Sequence, residues 1–378
     1  LIPKSGAALT SLAPGISLTD LATPSLERHP VPTFSIPDAT QLAVGVLEAA
    51  GTPRAAARLV AAHLIDADAC GYPSHGLSLL PLYVADLEAG RVDPETHGHW
   101  VLDAGPLLVF DAQRGLGRAL VEPALRRAIS AAASHGVAVL AVRQSHHLGR
   151  LGAYAEIAAA SDLAALLFAN VVGQDPRVAP TGAREARLST NPIALAVPSL
   201  SGAPVLLDVA TSGIAMNKVR LAQLGGAAMA SGLLIDADGN PTTDPGVIAA
   251  NPPGTLLPFG GHKGSGLALI AELLAGALTG GGTIAPHHIR DGATRNNLLC
   301  VLLDPQRLNP DQWRGEVAAM LDYLHTAKPA DPSSPVQAAG EPETRARANA
   351  ARSGVTYEPA LWAAVSAVAE RLAVPLPE

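Results

Sequence analysis

The sequence predicts an α/β fold of the α+β kind from three observations. An N-terminal block has helical periodicity, short apolar runs of strand length begin beyond Trp100, and further helical stretches lie between and after those runs. With 378 residues, 48% hydrophobic and 16% charged, the chain can bury a large core divided between two lobes. Residues 1–35, with several prolines and serines and no basic-then-apolar order of a secretory leader, read as a flexible extension. Helical spacing runs over 40–50, stops at Gly51 and resumes after Thr52-Pro53 toward Ala69, so 36–105 read as a helical subdomain. Apolar runs at 107–110, 137–142, 163–168, 193–197 and 205–207, bounded by Gly, Pro, Asp and Asn, read as buried strands, with helices at 119–134 and 153–160. Asp238-Gly239 turns a surface hairpin. A helix over 264–278 ends at Gly280-Gly281-Gly282, followed by a strand at 297–303, a helix at 311–325, a Pro/Ser/Ala-rich connection at 329–340 and a closing helix at 358–372. The expected division is a sheet domain over 106–305 and helical segments over 306–378 that pack with the N-terminal subdomain.

Composition excludes several function classes. A formal charge of −7 without a dense Lys/Arg stripe argues against nucleic acid or an anionic membrane surface as partner, and favours a small metabolite. No uninterrupted apolar run reaches the length of a membrane span. Cys70 and Cys300 fit neither a disulfide framework nor a zinc-ligand spacing, which points to a reducing compartment, by default the cytoplasm, and to no bound metal.

Chemistry concentrates in three short motifs. In Arg143-Gln144-Ser145-His146-His147-Leu148-Gly149-Arg150, His147 stands where the apolar run 137–142 opens into a glycine-bearing turn. Imidazole titrates near neutrality and serves general acid–base chemistry more often than any other side chain. Pro73-Ser74-His75-Gly76 sets a second imidazole between two helical segments. In Gly260-Gly261-His262-Lys263-Gly264-Ser265-Gly266, the glycines leave backbone N–H groups free at a helix start, and Lys263 adds a full charge suited to phosphate or carboxylate. With Ala179-Pro180-Thr181-Gly182, Leu188-Ser189-Thr190-Asn191-Pro192, Asp208-Val209-Ala210-Thr211-Ser212 and Asn217-Lys218, the chain from about Ile36 onward resembles the malate/L-lactate dehydrogenase family of NAD(P)H-dependent oxidoreductases. That family also includes ureidoglycolate, sulfolactate and diketogulonate enzymes and cyclic imino-acid reductases.

The resemblance implies a cofactor, NAD(H) or NADP(H), held on a large mixed, mostly antiparallel sheet unlike the common dinucleotide fold; the G-x-G-x-x-G spacing of that common fold is missing here. It also implies a homodimer, and the reduction of a 2-oxo acid or cyclic 2-imino acid, or the reverse oxidation. His75 and His147 become the acid/base candidates, with the choice between them open, and His146 takes a structural role. Ser74, Leu79, Tyr83, Arg150 and Asn191 fall to the substrate; Asn170, Pro180, Thr190, Leu207, Asp208, Val209, Ala210, Lys218, His262, Lys263, Gly264, Gly340, Glu341 and Pro342 fall to the cofactor.

One departure bears on substrate. Relatives commonly carry Arg three positions after the glycine of Ser-His-Gly, where this chain has Leu79, so a bidentate carboxylate clamp is absent there or supplied by Arg150, Arg184 or Lys218. A bulkier or less anionic substrate gains over malate's oxo acid. Two rival readings are a noncatalytic metabolite-binding relative and a metal hydrolase built on His146, His147, His287 and His288, whose adjacent pairs are poor chelating spacings.

Overall fold

A computed structural model describes residues 32–288 and 290–377. The expected extension lies outside the described residues over 1–31; its last residues are described. Thr33–Phe34 form β1, paired antiparallel with β12 (Val355–Thr356), so residues ahead of Ile36 already belong to a sheet. Helices α1 (Ile36–Ala49), α2 (Arg54–Ala69) and α3 (Leu80–Glu88) follow. Ser35 caps α1 by accepting from Asp38 N, which satisfies one of the donors a helix start leaves open. Leu42, Val46, Val60, Leu64, Leu80 and Val84 recur at helical spacing and close a first core with Leu361 and Val365 of α11 (Pro359–Arg371).

A seven-stranded sheet forms the second core. Its strands are β2 (His99–Ala104), β3 (Leu107–Asp111), β4 (Val137–Ser145), β5 (Ala164–Val172), β6 (Ile193–Val197), β7 (Val205–Val209) and β11 (Arg295–Leu303), in the order β2-β3-β4-β11-β5-β6-β7. Only β3 and β4 are parallel, joined by the crossover helix α4 (Gly117–His135); every other pair is antiparallel. β2 corrects the expected boundary at 105, because His99–Ala104 belong to the sheet and not to the helical subdomain. Leu140, Val142, Leu167, Leu298, Cys300 and Leu302 pack against α4 and α5 (Gly152–Ala159). Each such burial contributes roughly 1.5–3 kcal/mol for a Val or Leu.

A smaller unit sits beside the end of the sheet. It comprises α6 (Met216–Leu224) and the short strands β8 (Leu234–Ile235), β9 (Pro241–Thr242) and β10 (Thr255–Leu256), with the Asp236–Gly239 turn joining β8 to β9. Val178, Leu188, Val219, Leu234 and Leu256 make its core. α7 (His262–Ala271) continues as one π-helical stretch, Glu272–Ala277. After α8 (Pro305–Leu308) and α9 (Trp313–His325) comes α10 (Glu341–Ser353). Glu341 and Pro342 open this helix, with Gly340 at its N-cap position directly after the 329–340 connection. α10 and α11 pack with the N-terminal helices, whereas α9 buries only Trp313.

Candidate active site

Two chain reversals bring the motif histidines together. Ser74 and His75 lie in a single 3-10 turn, Pro73–His75, between α2 and α3. Asp68, near the end of α2, accepts from Leu77 N at 2.8 Å, and a Cβ on Gly76 would stand 1.8 Å from its Oδ1, so only glycine lets the turn fold back on the helix. Burial pushes the Asp68 carboxyl up to about 7 against the lowering effect of the Leu77 N–H, Tyr357 and Arg118. His147 leaves the end of β4, where a bulge opposite Asn296 and Leu298 breaks the ladder. Asn296 Oδ1 accepts from Leu148 N at 2.9 Å and Asn297 Oδ1 from Gln144 N at 2.9 Å, which fixes the exit of the strand on both sides of the histidines.

The rings of His75 and His147 lie 5.9 Å apart and 21° from parallel. Burial, then Arg118, Lys218 and Arg150, lowers His75 to about 4. Burial, then Arg118, His75 and His146, holds His147 well below the ordinary imidazole range. Both are neutral at pH 7. Ser74 Oγ is 3.0 Å from His75 Nδ1, and Tyr83 Oη is 2.7 Å from His147 Nδ1. Behind them Arg118, 1% exposed, donates through Nε to Tyr83 Oη at 2.9 Å and through Nη2 to His75 O at 2.7 Å. Gly149, at φ +81°, leaves the space this guanidinium fills, since a Cβ there would stand 2.4 Å from Arg118 Cζ. His146 points elsewhere: its Nε2 meets Asp86 Oδ2 at 2.9 Å in the interior.

Both imidazoles open on a cleft of about 920 Å³. Of the residues singled out in the sequence, Ser74, His75, Leu79, His147, Arg150, Thr190, Leu207, Asp208, Val209, Ala210 and Lys218 line it. Three others are buried behind the wall. Tyr83 reaches His147 and Arg118 and not the cleft; Asn191, 0% exposed, donates to Ala268 O and Glu272 Oε2; Asn170 donates to Glu272 Oε1 and Gly282 O. The expectation that Tyr83 and Asn191 face substrate is thereby corrected. Their polar groups are consumed by partners that a sequence does not reveal.

Arg150 lines the cleft, yet its Nη2 is held by Asp66 Oδ2 at 2.9 Å and Glu156 Oε2 at 2.7 Å, with Arg347 bridging the same two carboxylates. A guanidinium so neutralised is a poor substitute for the missing clamp, and Arg184 is exposed and off the cleft wall. Asp208 Oδ2 accepts from Gly152 N at 2.7 Å and so caps the start of α5; burial raises its carboxyl to about 6. His262, Lys263 and Gly264 start α7 outside the cleft lining. The first two are exposed, and Gly264 packs on the backbone of Phe259 and Thr211. Pro180 adjoins that helix through Thr181 N, which donates to Ser265 Oγ. Gly340, Glu341 and Pro342 also fall outside the lining: Gly340 lies against Pro204 O and Leu206 of β7, and Glu341 pairs with His325 at 2.9 Å.

Sequence reading missed Arg118, Arg177 and Arg220, the last two on the cleft wall with no carboxylate partner among the described residues. No periodicity or motif marks them. Asn217 was noticed without a role; its Nδ2 donates to Ser74 O at 2.8 Å and Ser78 Oγ at 3.0 Å, tying α6 to the His75 turn. Arg177, Lys218 and Arg220, with no carboxylate partner among the described residues, give this cleft a cationic wall suited to an anionic ligand.

A family model described as malate/L-lactate dehydrogenase matches residues 34–366, nearly all of the described residues. The chain belongs to the malate/L-lactate dehydrogenase family. It is 45% identical over 346 residues to an L-lactate dehydrogenase of Cupriavidus necator, covering 91% of this chain and 99% of that protein. A (2R)-3-sulfolactate dehydrogenase (NADP(+)) of Chromohalobacter salexigens is 39% identical over 65% of this chain and 72% of its own length. The crystal structure of delta1-piperideine-2-carboxylate reductase from Pseudomonas syringae superposes with a TM-score of 0.78 at 30% identity, over 89% of this chain and 99% of that one. As a malate/L-lactate dehydrogenase family member, this chain is an oxidoreductase, and its relatives act on hydroxy acids and cyclic imino acids.

Proposed function

We propose that this protein interconverts a 2-oxo acid and its 2-hydroxy acid, the acid bearing one carboxylate and an apolar side chain, with NAD(H) or NADP(H). The observation that carries the reading is the pair of neutral imidazoles, His75 and His147, on a cleft wall that also holds Lys218 and the apolar Leu79 and Leu82. The bound nicotinamide supplies or accepts the hydride. Lys218, Arg177 and Arg220 attract the carboxylate and the cofactor's phosphates, while Leu79 and Leu82 shape an uncharged pocket for the side chain. Ser74 Oγ can donate to or accept from His75 Nδ1, so His75 can exchange a proton at Nε2 with the reacting oxygen. Asp208 to Ala210 and Thr190, which also line the cleft, are assigned to the cofactor, with Lys263 and the Gly340–Pro342 segment, outside the lining, as outer anchors.

A cyclic imino acid is the second reading, favoured by the piperideine-carboxylate reductase likeness and by the same apolar wall. Little supports a metal hydrolase, because His146 is committed to Asp86, and among the described residues no three His, Cys, Asp or Glu side chains group as ligands. We also propose a homodimer, with the exposed Leu267, Leu269, Ile270 and Leu273 of the α7 region facing a second copy; sedimentation at monomer mass would refute it. A cytoplasmic location belongs to the same reading, in keeping with the buried free thiols Cys70 and Cys300; among the described residues no helix is long and apolar enough to cross a membrane. The deciding experiment is a nicotinamide-absorbance screen of pyruvate-like 2-oxo acids, oxaloacetate and cyclic imino acids with both cofactors. Turnover of the apolar monocarboxylates is expected. Cofactor binding without turnover on any of them would leave a noncatalytic metabolite-binding protein.

A further inference from the structure

Resting on that reading of the cleft, we propose that Arg118 and Tyr83 are a positioning pair that locks His147 in one neutral tautomer. Nδ1 accepts from Tyr83, and Nε2–H faces the cleft as a fixed hydrogen-bond donor to the substrate's reacting oxygen or nitrogen. His75 is then the imidazole left free to exchange a proton.

The lock follows from who can donate. A guanidinium has donors only, so Arg118 Nε must give its proton to Tyr83 Oη, 2.9 Å away. Tyr83 is 1% exposed, and its hydroxyl has one other partner among the described residues, His147 Nδ1 at 2.7 Å. If Nδ1 carried the proton, the phenol hydrogen would be buried without an acceptor, the arrangement folded proteins avoid. Nδ1 is therefore the acceptor and the ring proton sits on Nε2, which has no hydrogen-bond partner among the described residues and belongs to a side chain on the cleft wall. Arg118 is itself held in place by its bond to His75 O and by the space Gly149 leaves.

Two neighbours show what the lock excludes. His146, one residue earlier, is bonded at Nε2 to the carboxylate of Asp86, which can only accept, so its Nε2 proton is used up in the interior. His147 instead meets a phenol backed by a cation with no carboxylate partner among the described residues. His75 has Ser74 Oγ at Nδ1, and a serine hydroxyl rotates to donate or accept, so either tautomer of His75 is satisfied.

The test reads the tautomer directly. In protein labelled with nitrogen-15 histidine, long-range proton–nitrogen correlations at neutral pH should show His147, assigned by its loss in His147→Gln, with Nε2 protonated and Nδ1 bare. A protonated Nδ1 or a mixture in the wild-type protein overturns the proposal, with no variant needed. Tyr83→Phe removes one hydroxyl; it should give mixed tautomers and lower kcat by about tenfold or more on the best substrate, with KM within about twofold. An unchanged His147 tautomer in that variant overturns the proposal as well. The spectrum needs no substrate, so a failed search for turnover would remove the functional reading while the lock stands or falls on the spectrum.

Discussion

The His75–His147 cleft and the Gly260–Gly266 helix start have the same ingredients in sequence: imidazole, glycine and a nearby cation. In the fold they are opposites. The first is a half-open cleft backed by buried side chains, its polar atoms tied in a chain from Arg118 through Tyr83 to His147. The second presents His262 and Lys263 to solvent, outside the cleft lining. Electrostatic effects are strong where water is excluded and weak where it screens, so residue type sets less of a side chain's influence than its surroundings do.

The largest effect should come from the cleft. His147→Ala is expected to lower kcat at least about a hundredfold, the size of losing a preorganised donor, while the cofactor's apparent constant stays nearly unchanged. Near wild-type turnover would show that the cleft does not work through this ring. Leu79→Arg puts a guanidinium into the same cleft and should shift the oxaloacetate-to-pyruvate ratio of kcat/KM by roughly ten- to a hundredfold toward the dicarboxylate, for a charge-assisted contact of about 1.5–3 kcal/mol. Efficient wild-type reduction of oxaloacetate would refute the apolar-side-chain inference and leave the oxidoreductase assignment intact.

A pH series sharpens the contrast at intermediate size. With His75 lowered to about 4, the free enzyme holds it neutral from pH 6 to 8, so kcat/KM for hydroxy-acid oxidation should show no His75 break there and should decline as pH falls toward 4. Stability carries the same sign. The folded state protonates His75 less readily than the unfolded chain does, so its contribution is present above the ordinary pKa of 6.5 and is lost as pH falls through the window to about 4. His75→Gln should flatten the Tm profile across that window; an unchanged slope would show that the ring is not held neutral. The smallest effect belongs to the exposed region. Lys263→Ala should raise the apparent cofactor constant by no more than about threefold at low salt, and the difference should vanish at high salt. A large, salt-independent loss would mean that Lys263 becomes enclosed in the working assembly.

The sequence by itself determined the local elements and the family. Strands β4, β5, β6 and β11, helices α4, α5 and α11, and the placement of His75 and His147 at chain reversals all follow from periodicity and turn residues, which act over a few neighbours. The tertiary structure alone decided which polar groups are free to act. Arg150 looked available as a carboxylate clamp but is held by Asp66, 84 residues away, and by Glu156. Tyr83 looked like a substrate contact but lies behind His147, 64 residues on, and Asn191 is taken up by Glu272, 81 residues on. Arg118, with no motif around it, became the cation beneath both imidazoles because the α4 start packs against the His75 turn and Gly149 leaves room for it. Periodicity encodes which face of an element is buried. The partner of a buried charge is set by how distant elements cross, and no local pattern carries that information.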